Sequence, residues 1–357
     1  MTAEPPTVRA WEALDGAQVQ RWSEVLDAIA ALLPGPHSRV VVDGPPPLAA
    51  TVADRLVDTL HAVGQPCVRL TDTSPEADED GWWVNGGARS TTVADGARWR
   101  SRPPHAPWHV VIWLRSHPVA PGEDGTDVVI DLHDPGWPVI RHVAPGLDPR
   151  QPWYVTESRA FFGIRAATWD SRFGDDTEAY GAAIAEAGLR PGHRVLDVGC
   201  GTGRALPALR AAVGAGGVVA GVDLTPQMLA VAADRARASC SALVLGDARR
   251  LPFAADSTDA IFAAGLVMHL PDLEAGLAEL ARVTRAGGRL IVFHPYGRAA
   301  LAARHGRALT PDDPLDQRRF GPALVATGWR LDRYDDPPHR FLALATRAVG
   351  QVVAAAA

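Results

Sequence analysis

The 357-residue sequence contains no lysine, so all 35 of its basic residues are arginines. This absence excludes a lysine Schiff base and any phosphate site that depends on a lysine ammonium group. Cysteine is scarce, and the wide spacing of Cys67, Cys200 and Cys240 favours neither a disulfide framework nor a zinc site. We therefore expect no bound metal. The sequence also lacks any run of about 18 apolar residues, so we expect no membrane span.

The remaining composition is that of a globular protein, with 47% hydrophobic and 21% charged residues. The first ten residues lack the basic and then apolar layout of a secretion signal, so we expect a cytoplasmic protein. The length suits two domains of ordinary size, each able to bury a core.

Charge is divided unevenly along the chain. Residues 1–150 contain 20 acidic residues and 12 arginines, a net of −8, whereas residues 151–357 contain 21 and 23, a net of +2. An acidic first half argues against a nucleic-acid partner, because neutralised phosphates supply most of such affinity. Proline and glycine cluster at 144–153, which indicates a break. The predicted division is a domain at 1–145, a linker at 146–157, a domain at 158–349 and a tail at 350–357.

A glycine-rich turn follows an apolar strand in RVLDVGCGTG at 194–203. The helix expected after it carries Leu206, Leu209 and Val213 on one face. The turn places backbone N–H groups at a helix N-terminus, where an anionic or electron-rich ligand can approach closely. Its glycines remove side chains that would block that approach. The sequence therefore predicts a ligand site at the carboxyl end of this strand.

Two kinds of cofactor site contain such a turn. The dinucleotide fingerprint G-x-G-x-x-G requires glycine where this sequence has Arg204, and the third glycine, Gly203, comes one residue early. An acidic residue, Asp197, precedes the turn. These departures favour the D-x-G-x-G-x-G loop of S-adenosylmethionine (SAM) methyltransferases.

The downstream sequence adds further strands that end in acidic residues. VVAGVD ends at Asp223, 20 residues beyond Gly203, where a carboxylate can accept hydrogen bonds from both ribose hydroxyls. Thr225 and Pro226 then predict a helix N-cap and a first helical position. A third strand ends at Asp247, within reach of an adenine amino group. Two more strands are predicted at 259–270 and 287–295. A helix marked by Leu273, Leu277 and Leu280 is predicted between them.

Residues 158–348 resemble a class I SAM-dependent methyltransferase of the menaquinone- and ubiquinone-biosynthesis-like group. The resemblance is carried by VLDVGCGTG, GVDLTPQML, GDARRLPF and LARVTRAGGRLIVF, in this order and with ordinary spacing. It implies a Rossmann-like α/β fold with a seven-stranded sheet whose last two strands form an antiparallel hairpin. Segments 329–336 and 340–347 are similar to that hairpin.

The resemblance also implies SAM as the cofactor and assigns its contacts. The methionine portion of SAM would face Asp197, Gly199, Cys200 and Gly201. The ribose would be bound by Asp223, and the adenine and the end of the pocket would be bordered by Leu224, Met228, Asp247, Ala248 and Ala264. As a small apolar side chain, Cys200 is expected to pack rather than to act as a nucleophile.

The predicted reaction is a methyl transfer in which the protein mainly positions the acceptor, because the sulfonium of SAM already activates the methyl group. A general base is needed only if the acceptor must lose a proton early, and His269 and His294 are the candidate catalytic residues. Both follow strands, at the edge where open α/β sheets bind ligands. Capping of a strand or helix is the alternative role for each histidine.

A lid is expected at the start of this domain. Segment 157–176 is similar to the helix and lid that cover the SAM pocket in this group, and Trp169 would touch the methionine end. Packing against the core is the alternative role of its aromatic residues. Tyr296 would orient substrate, and the segment 297–320 lies where acceptor-side insertions are common. The sequence does not identify the acceptor.

Residues 18–143 are similar to a uridine kinase-like P-loop domain. VVVDG at 40–44, followed by Thr51 at the start of a predicted helix, has the spacing of the loop G-x-x-x-x-G-K-[ST]. The later VVIDLHDPGWPVIRHV carries the rest of the resemblance. The predicted elements are a helix at 18–33, a helix with Val52, Leu56, Leu60 and Val63 on one face, and strands at 39–44, 66–72, 109–116, 127–134 and 138–143.

The phosphate-binding groups of such a domain are missing. Ala49 and Ala50 occupy the positions of the second glycine and the lysine, and Pro45, Pro46 and Pro47 have no N–H. We therefore expect a degenerate domain that serves structure, dimerisation or substrate capture. Arg98, Arg100 and Arg102 could approach a phosphate, but a solvated loop is the expected location for them. Asp72 follows the second strand as an acidic residue does in such kinases, and a lone carboxylate does not make a phosphate site.

The sequence leaves three hypotheses for function. The first is SAM-dependent methylation of an O, N or C atom of a small metabolite, with a small-molecule acceptor as the partner. The second is a regulatory protein that senses SAM without transferring methyl. The third, a bifunctional kinase–methyltransferase, is disfavoured by the missing lysine.

Overall fold

The computed structural model describes residues 13–71, 74, 90–103, 106–116, 125–173, 176–306, 309 and 313–349. The chain divides into two compact units, Met1–Glu157 and Ser158–Ala357. Asp72 and the predicted tail lie outside the described residues, and the division into domains and a linker stays a prediction. Across the described residues, no helix combines the length and the apolarity that a bilayer crossing requires.

The first unit is built on one mixed sheet. Its helices are α1 (Gly16–Leu32), α2 (Pro46–Ala62) and α3 (Ala97–Ser101), and α4 (Trp153–Gly163) contains the boundary between the units. Its strands are β1 (Arg39–Asp43), β2 (Cys67–Leu70), β3 (Thr91–Asp95), β4 (Val110–Arg115), β5 (Val128–Asp131) and β6 (Val139–Val143). The strand order is β2-β3-β1-β4-β5-β6, and only β6 is antiparallel to its neighbour.

Strand β1 lies in the middle of this sheet and is covered on both faces. Val40 and Val42 pack with α1 and α2, whereas Val41 packs on the opposite face with Trp99 of α3. Alternate side chains of a strand point to opposite faces, and an apolar residue at each of these positions therefore buries both faces.

Three features of the first unit differ from the sequence prediction. Helix α2 begins at Pro46 rather than at Thr51, because the fixed φ of proline suits the first turn of a helix. Val63, predicted on its apolar face, lies beyond the helix end and is 71% exposed. Strand β3 was not predicted, although all five of its residues are buried.

The second unit contains a larger sheet. Its helices are α5 (Trp169–Phe173), α6 (Thr177–Glu186), α7 (Leu206–Val213), α8 (Pro226–Ala238), α9 (Leu273–Val283), α10 (Arg298–Arg304) and α11 (Gln317–Ala326). Its strands are β7 (Arg194–Val198), β8 (Val218–Asp223), β9 (Ala242–Leu245), β10 (Thr258–Ala264), β11 (Thr284–His294), β12 (Trp329–Asp335) and β13 (Phe341–Arg347).

The seven strands follow the order β12-β13-β11-β10-β7-β8-β9. Strand β13 is antiparallel to both of its neighbours, and every other pair is parallel, which confirms the predicted hairpin. In the sheet, β8 lies beside β7 on one side, and β11 lies beside β10 on the opposite side. The connections that follow β7 and β10 therefore run in opposite directions. The carboxyl ends of β7 and β10 therefore flank a topological switch point, the usual ligand site of an open α/β sheet.

The helix after β7 has the predicted apolar face. Leu206, Leu209 and Val213 of α7 are all fully buried. The predicted fourth strand is shorter than expected, because Gly265 has a φ of 66° and turns the chain after Ala264. A 3-10 turn follows at Val267–His269.

Candidate active site

Three glycines shape the loop after β7. Gly199, Gly201 and Gly203 have φ angles of 74°, 52° and 78°, a backbone region that favours glycine. A Cβ on Gly199 would lie 3.2 Å from Leu266, and one on Gly203 would lie 3.0 Å from Leu206. The glycines therefore allow both the turn and its close packing against neighbouring side chains.

The amides of this loop are bonded within the protein. The N–H groups of Gly199 and Cys200 donate to the Val222 carbonyl at 2.8 and 3.0 Å. The N–H of Gly201 donates to the Asp223 carboxylate at 2.8 Å. The expectation that the turn offers these N–H groups to a ligand is therefore corrected, since the ties to β8 that fix the loop also satisfy them.

Asp197, near the end of β7, is the most deeply buried acid of the site. It is 1% exposed, and its Oδ2 has no hydrogen-bond partner in the structure. Burial, together with the charge of Asp223, raises the pKa of Asp197 to about 8. An unsatisfied buried acceptor destabilises a protein by about 1–3 kcal/mol. A ligand with a cationic ammonium group would supply the missing partner, so this carboxylate fits the methionine portion of SAM.

Asp223 ends β8 in a fixed orientation. Its two carboxylate oxygens accept hydrogen bonds from the N–H groups of Gly201 and Thr225, both at 2.8 Å. Burial raises the pKa of Asp223, while these hydrogen bonds act in the opposite direction. Each oxygen keeps acceptor capacity for another donor, such as a ribose hydroxyl. Thr225 takes the predicted N-cap position of α8, but its side chain makes no capping hydrogen bond.

Asp247 lies just beyond β9, as predicted, and is held by a neighbour. Its carboxylate accepts from the backbone N–H of Arg249 at 2.9 Å and pairs with the Arg249 guanidinium at 2.8 Å. Ala248 between them is buried. An adenine amino group that approaches Asp247 would therefore donate to a carboxylate that already accepts hydrogen bonds from Arg249.

The other predicted cofactor contacts differ in exposure. Met228 is 1% exposed, which agrees with a core position at the start of α8. Leu224 and Ala264 are half-buried. Burial and the charge of Asp197 raise the pKa of Cys200 well above its ordinary value. A raised pKa disfavours the reactive thiolate, which supports packing rather than nucleophilic attack as the role of Cys200.

The two candidate bases have different surroundings. His269 ends the 3-10 turn after β10, and its ring meets Phe162 edge to face at 5.3 Å. Burial, and then the charges of His305 and Arg304, lower the pKa of His294 to about 4, although a hydrogen bond to Tyr296 opposes the shift. His294 is therefore neutral near pH 7 and a weak base, whereas His269 remains a candidate.

Tyr296 follows β11 and is joined to α10. Its hydroxyl accepts a hydrogen bond from Arg304 Nη1 at 2.6 Å, and the Arg304 guanidinium lies 5.0 Å from the ring centroid. Its backbone N–H lies 3.1 Å from Nδ1 of His294. Tyr296 thus connects the end of β11 to the segment predicted as an acceptor-side insertion.

The predicted lid contains one residue that sequence reasoning missed. Trp169 of α5 contacts Phe162 at 5.6 Å between ring centroids, and the adjacent Asp170 accepts a hydrogen bond from the Thr202 hydroxyl at 2.6 Å. Arg235 of α8 pairs with the same carboxylate at 2.7 Å. No spacing in the sequence indicates these contacts, because they join three separate segments.

The loop after β1 in the first unit holds no free amide between its glycine and Ala49. The N–H of Gly44 donates to the Asp43 carboxylate at 2.8 Å, and those of Leu48 and Ala49 donate to the Pro45 carbonyl at 3.0 and 2.9 Å. The three residues between Gly44 and Leu48 are prolines and have no N–H. Backbone donors that cradle a phosphate in a P-loop are therefore absent or satisfied here.

The side chain of Asp43 forms an ion pair within the protein. Its carboxylate pairs with Arg100 at 3.1 Å, and the Arg100 guanidinium lies 5.3 Å from the ring centroid of Trp113. Helix α2 starts two residues after Gly44, which leaves no extended loop of P-loop length. The described part of the chain contains no cluster of three residues able to hold a metal ion.

Residues 196–292 match the family model described as "Methyltransferase domain". The chain is 43% identical over 151 residues to Methyltransferase GfsG from Streptomyces halstedii, which covers 41% of this chain and 50% of that protein. It is 40% identical over 121 residues to 2-phytyl-1,4-naphtoquinone methyltransferase from Synechococcus elongatus, covering 32% of this chain and 52% of that protein. The chain thus spans about half the length of the curated relatives it matches.

Among solved structures, a SAM-dependent methyltransferase from Aquifex aeolicus aligns with 50% of this chain and 96% of its own at 22% identity and a TM-score of 0.43. This structural alignment is too weak to indicate a family. The family is indicated by the match to the family model and by the relatives in sequence. The matched range contains the loop after β7 and the acidic ends of β8 and β9. The chain carries a class I SAM-dependent methyltransferase domain.

Proposed function

We propose that this chain binds SAM at the carboxyl ends of β7, β8 and β9 and transfers its methyl group to an O, N or C atom of a small metabolite. The observation that carries the proposal is the buried, unpartnered carboxylate of Asp197 beside the glycine loop. The relatives in sequence, among them a naphthoquinone methyltransferase, support a small-molecule acceptor.

The residues of the chain have distinct roles in this proposal. Asp197 receives the ammonium group of the methionine portion, Asp223 accepts from the ribose hydroxyls, and Asp247 contacts the adenine edge. SAM itself supplies a methyl group that its sulfonium has already activated. The protein then has to orient the acceptor and exclude water, which is a matter of positioning.

Proton removal, where the acceptor needs it, falls to His269 in this proposal. A general base acts best when its pKa lies near the working pH, and the lowered pKa of His294 makes it inefficient. His294 and Tyr296 serve instead as hydrogen-bonding groups for the acceptor. The aromatic contact between Phe162 and His269 supports a position of this histidine beneath the lid.

Turnover of SAM labelled in its methyl group tests the function. The purified chain is incubated with phenols, quinols, carboxylic acids and amines, and label is followed into the acceptor. We expect transfer to at least one class, and loss of transfer in Asp223→Ala. Binding of SAM without transfer to any acceptor would favour the alternative of a SAM-sensing protein.

We further propose that the first unit is a degenerate uridine kinase-like domain without phosphoryl transfer. The bonded or missing amides from Gly44 to Ala49 and the early start of α2 support this. Transfer of phosphate from ATP to a nucleoside by the purified chain, lost in Asp72→Ala, would overturn it. Cytoplasmic location, homodimerisation through this unit and the lack of a nucleic-acid partner remain proposals from the sequence.

A further inference from the structure

Helix α5 is tied to the glycine loop through Asp170. The Thr202 hydroxyl donates to Oδ1 of Asp170 at 2.6 Å, and Arg235 Nη1 contacts Oδ2 at 2.7 Å. Arg235 also donates to the Thr202 carbonyl at 2.9 Å, which closes a triangle of contacts. We call these three residues, Asp170, Thr202 and Arg235, the latch.

The latch contacts the glycine loop at Thr202, where the flanking glycines allow several backbone conformations. Thr202 lies between Gly201 and Gly203, both with positive φ, and is 1% exposed. Glycine populates several backbone regions with similar ease, so contacts of the intervening residue decide the conformation of such a loop. The latch therefore fixes the glycine loop and α5 together.

The lid segment crosses the switch point between β7 and β10. Phe162 contacts Trp169 of α5 on one side and His269, which follows β10, on the other. At the far end of α5, Arg304 donates to the Arg172 carbonyl at 3.4 Å. The segment is thus held on the side of the loop after β7 and on the side of α10, over the edge where ligands of such sheets bind.

We propose that Asp170 is a positioning residue that gates exchange of the cofactor. The latch holds α5 across the switch point, and it must open for SAM to enter and for the demethylated product to leave. This inference rests on the proposed function, because it takes SAM as the ligand. Asp170 contacts neither the methyl group nor the acceptor in this proposal and acts through Thr202.

The charge of Asp170 gives the latch most of its strength. Partial burial raises the pKa of Asp170, but the hydrogen bonds from Thr202 and Arg235 outweigh it and lower the pKa overall. Hydrogen bonds to a charged group contribute more than neutral ones, and the 33% exposure of the side chain moderates the gain. Loss of the charge should therefore populate the open lid about tenfold more.

The latch holds α5 over the edge where ligands of such sheets bind, so its weakening has a specific kinetic consequence. Both entry and exit of SAM require opening, and both rate constants should rise together while the dissociation constant changes less. A residue that only supported the fold would lower the melting temperature or the affinity without accelerating association. The two rates therefore separate a gate from a structural contact.

Stopped-flow binding and displacement of SAM on the full chain test the gate. The variants are Asp170→Asn and Thr202→Val. The control is Asp234→Asn, whose side chain is 92% exposed on α8 and pairs with Arg237 three positions along. We expect association and dissociation to accelerate about tenfold in Asp170→Asn, and by a smaller factor in Thr202→Val, which keeps the pair between Asp170 and Arg235. The control should match the unchanged protein.

Two results would overturn the gate: unchanged rate constants in both latch variants, or weaker binding without faster association. If Asp170→Asn does not fold, Thr202→Val carries the same test, since valine replaces the hydroxyl with a group of similar shape. Failure of the unaltered chain to bind SAM at all would instead refute the proposed function, and the gate with it. Binding with unaltered kinetics in the variants refutes the gate alone.

Discussion

Asp197 and Asp223 lie in adjacent parallel strands, and the negative charge of Asp223 adds to burial in raising the pKa of Asp197 to about 8. Two carboxylates in such a place disfavour each other's ionised form. Without a ligand, Asp197 therefore holds a proton at neutral pH. A bound cation would reverse this preference.

Binding of SAM should accordingly release a proton from Asp197. At pH 6.5 the cofactor-free chain holds that proton, and an ammonium group beside the carboxylate lowers its pKa, so release approaches about one proton per site. Calorimetric titrations in buffers of different ionisation enthalpy measure the number. A value near zero at this pH would contradict the placement of the ammonium group at Asp197, and Asp197→Asn should remove the release.

Stability of the cofactor-free chain should depend on pH through the same group. The pKa of Asp197 is about 8 in the folded chain and near 3.8 in the unfolded chain, so the folded state binds more protons between these values. The free energy of unfolding therefore falls as pH rises from about 4 to about 8. Asp197→Asn should recover several kcal/mol at pH 8 and little at pH 4, since each unit of pKa difference corresponds to about 1.4 kcal/mol.

Urea unfolding at the two pH values measures this difference. Asp234→Asn, on an exposed side chain, is the matched control: it keeps Asp197 and should change the free energy of unfolding equally little at both pH values. An equal effect of Asp197→Asn at both pH values would mean that the carboxylate is ionised throughout.

The pH profile of methyl transfer should separate the two histidines. His294 has a pKa lowered to about 4, so it gives no limb between pH 5 and 8. His269 is the candidate base, so a limb in this range should disappear in His269→Asn. Rates across this range in His269→Asn and His294→Asn are the measurement. Loss of the limb in His294→Asn, with the limb kept in His269→Asn, would reverse the assignment.

His294 makes the free energy of unfolding depend on pH in the opposite direction to Asp197. Its folded pKa lies below the unfolded value, so the folded chain binds fewer protons between about pH 4 and 6.5. This contribution is present above pH 6.5 and is lost as pH falls toward 4.

ATP should not stabilise the chain. A ligand at 100 times its dissociation constant adds about 2.7 kcal/mol to the free energy of unfolding, which raises the melting temperature measurably. The loop after β1 has no free amide from Gly44 to Ala49 and no lysine, so millimolar ATP should leave the melting temperature unchanged. SAM serves as the positive control in the same assay.

The double variant Ala49→Gly with Ala50→Lys sharpens this test. It restores the two missing residue types but keeps the prolines and the early start of α2, so it should still show no response to ATP. A saturable rise with ATP in the unaltered chain that persists in the presence of saturating SAM would show that the first unit binds nucleotides.

Much of the second unit was predictable because its signals are local. A glycine-rich turn after an apolar strand, and acidic residues at the ends of β8 and β9, appear directly in the sequence. Helix α2 starts at Pro46, as proline favours in a first helical turn, whereas the spacing of a phosphate loop predicted a start at Thr51.

The latch could not be predicted in this way. Asp170 and Thr202 are 32 positions apart, and their contact depends on how α5 lies on the glycine loop. Likewise, the bonded amides of Gly199 and Cys200 depend on the register of β7 against β8. Tertiary approach, rather than local pattern, decides both.

Calorimetric titration of the full chain with SAM, compared with Asp223→Ala, tests the central claim most directly. Asp223 accepts hydrogen bonds at the end of β8, and its removal should weaken binding by on the order of 1–3 kcal/mol, whereas Asp234→Ala should leave it unchanged. That result would place the ribose at Asp223. Equal affinity for SAM in Asp223→Ala and the unaltered chain, or no binding by either, would contradict the account.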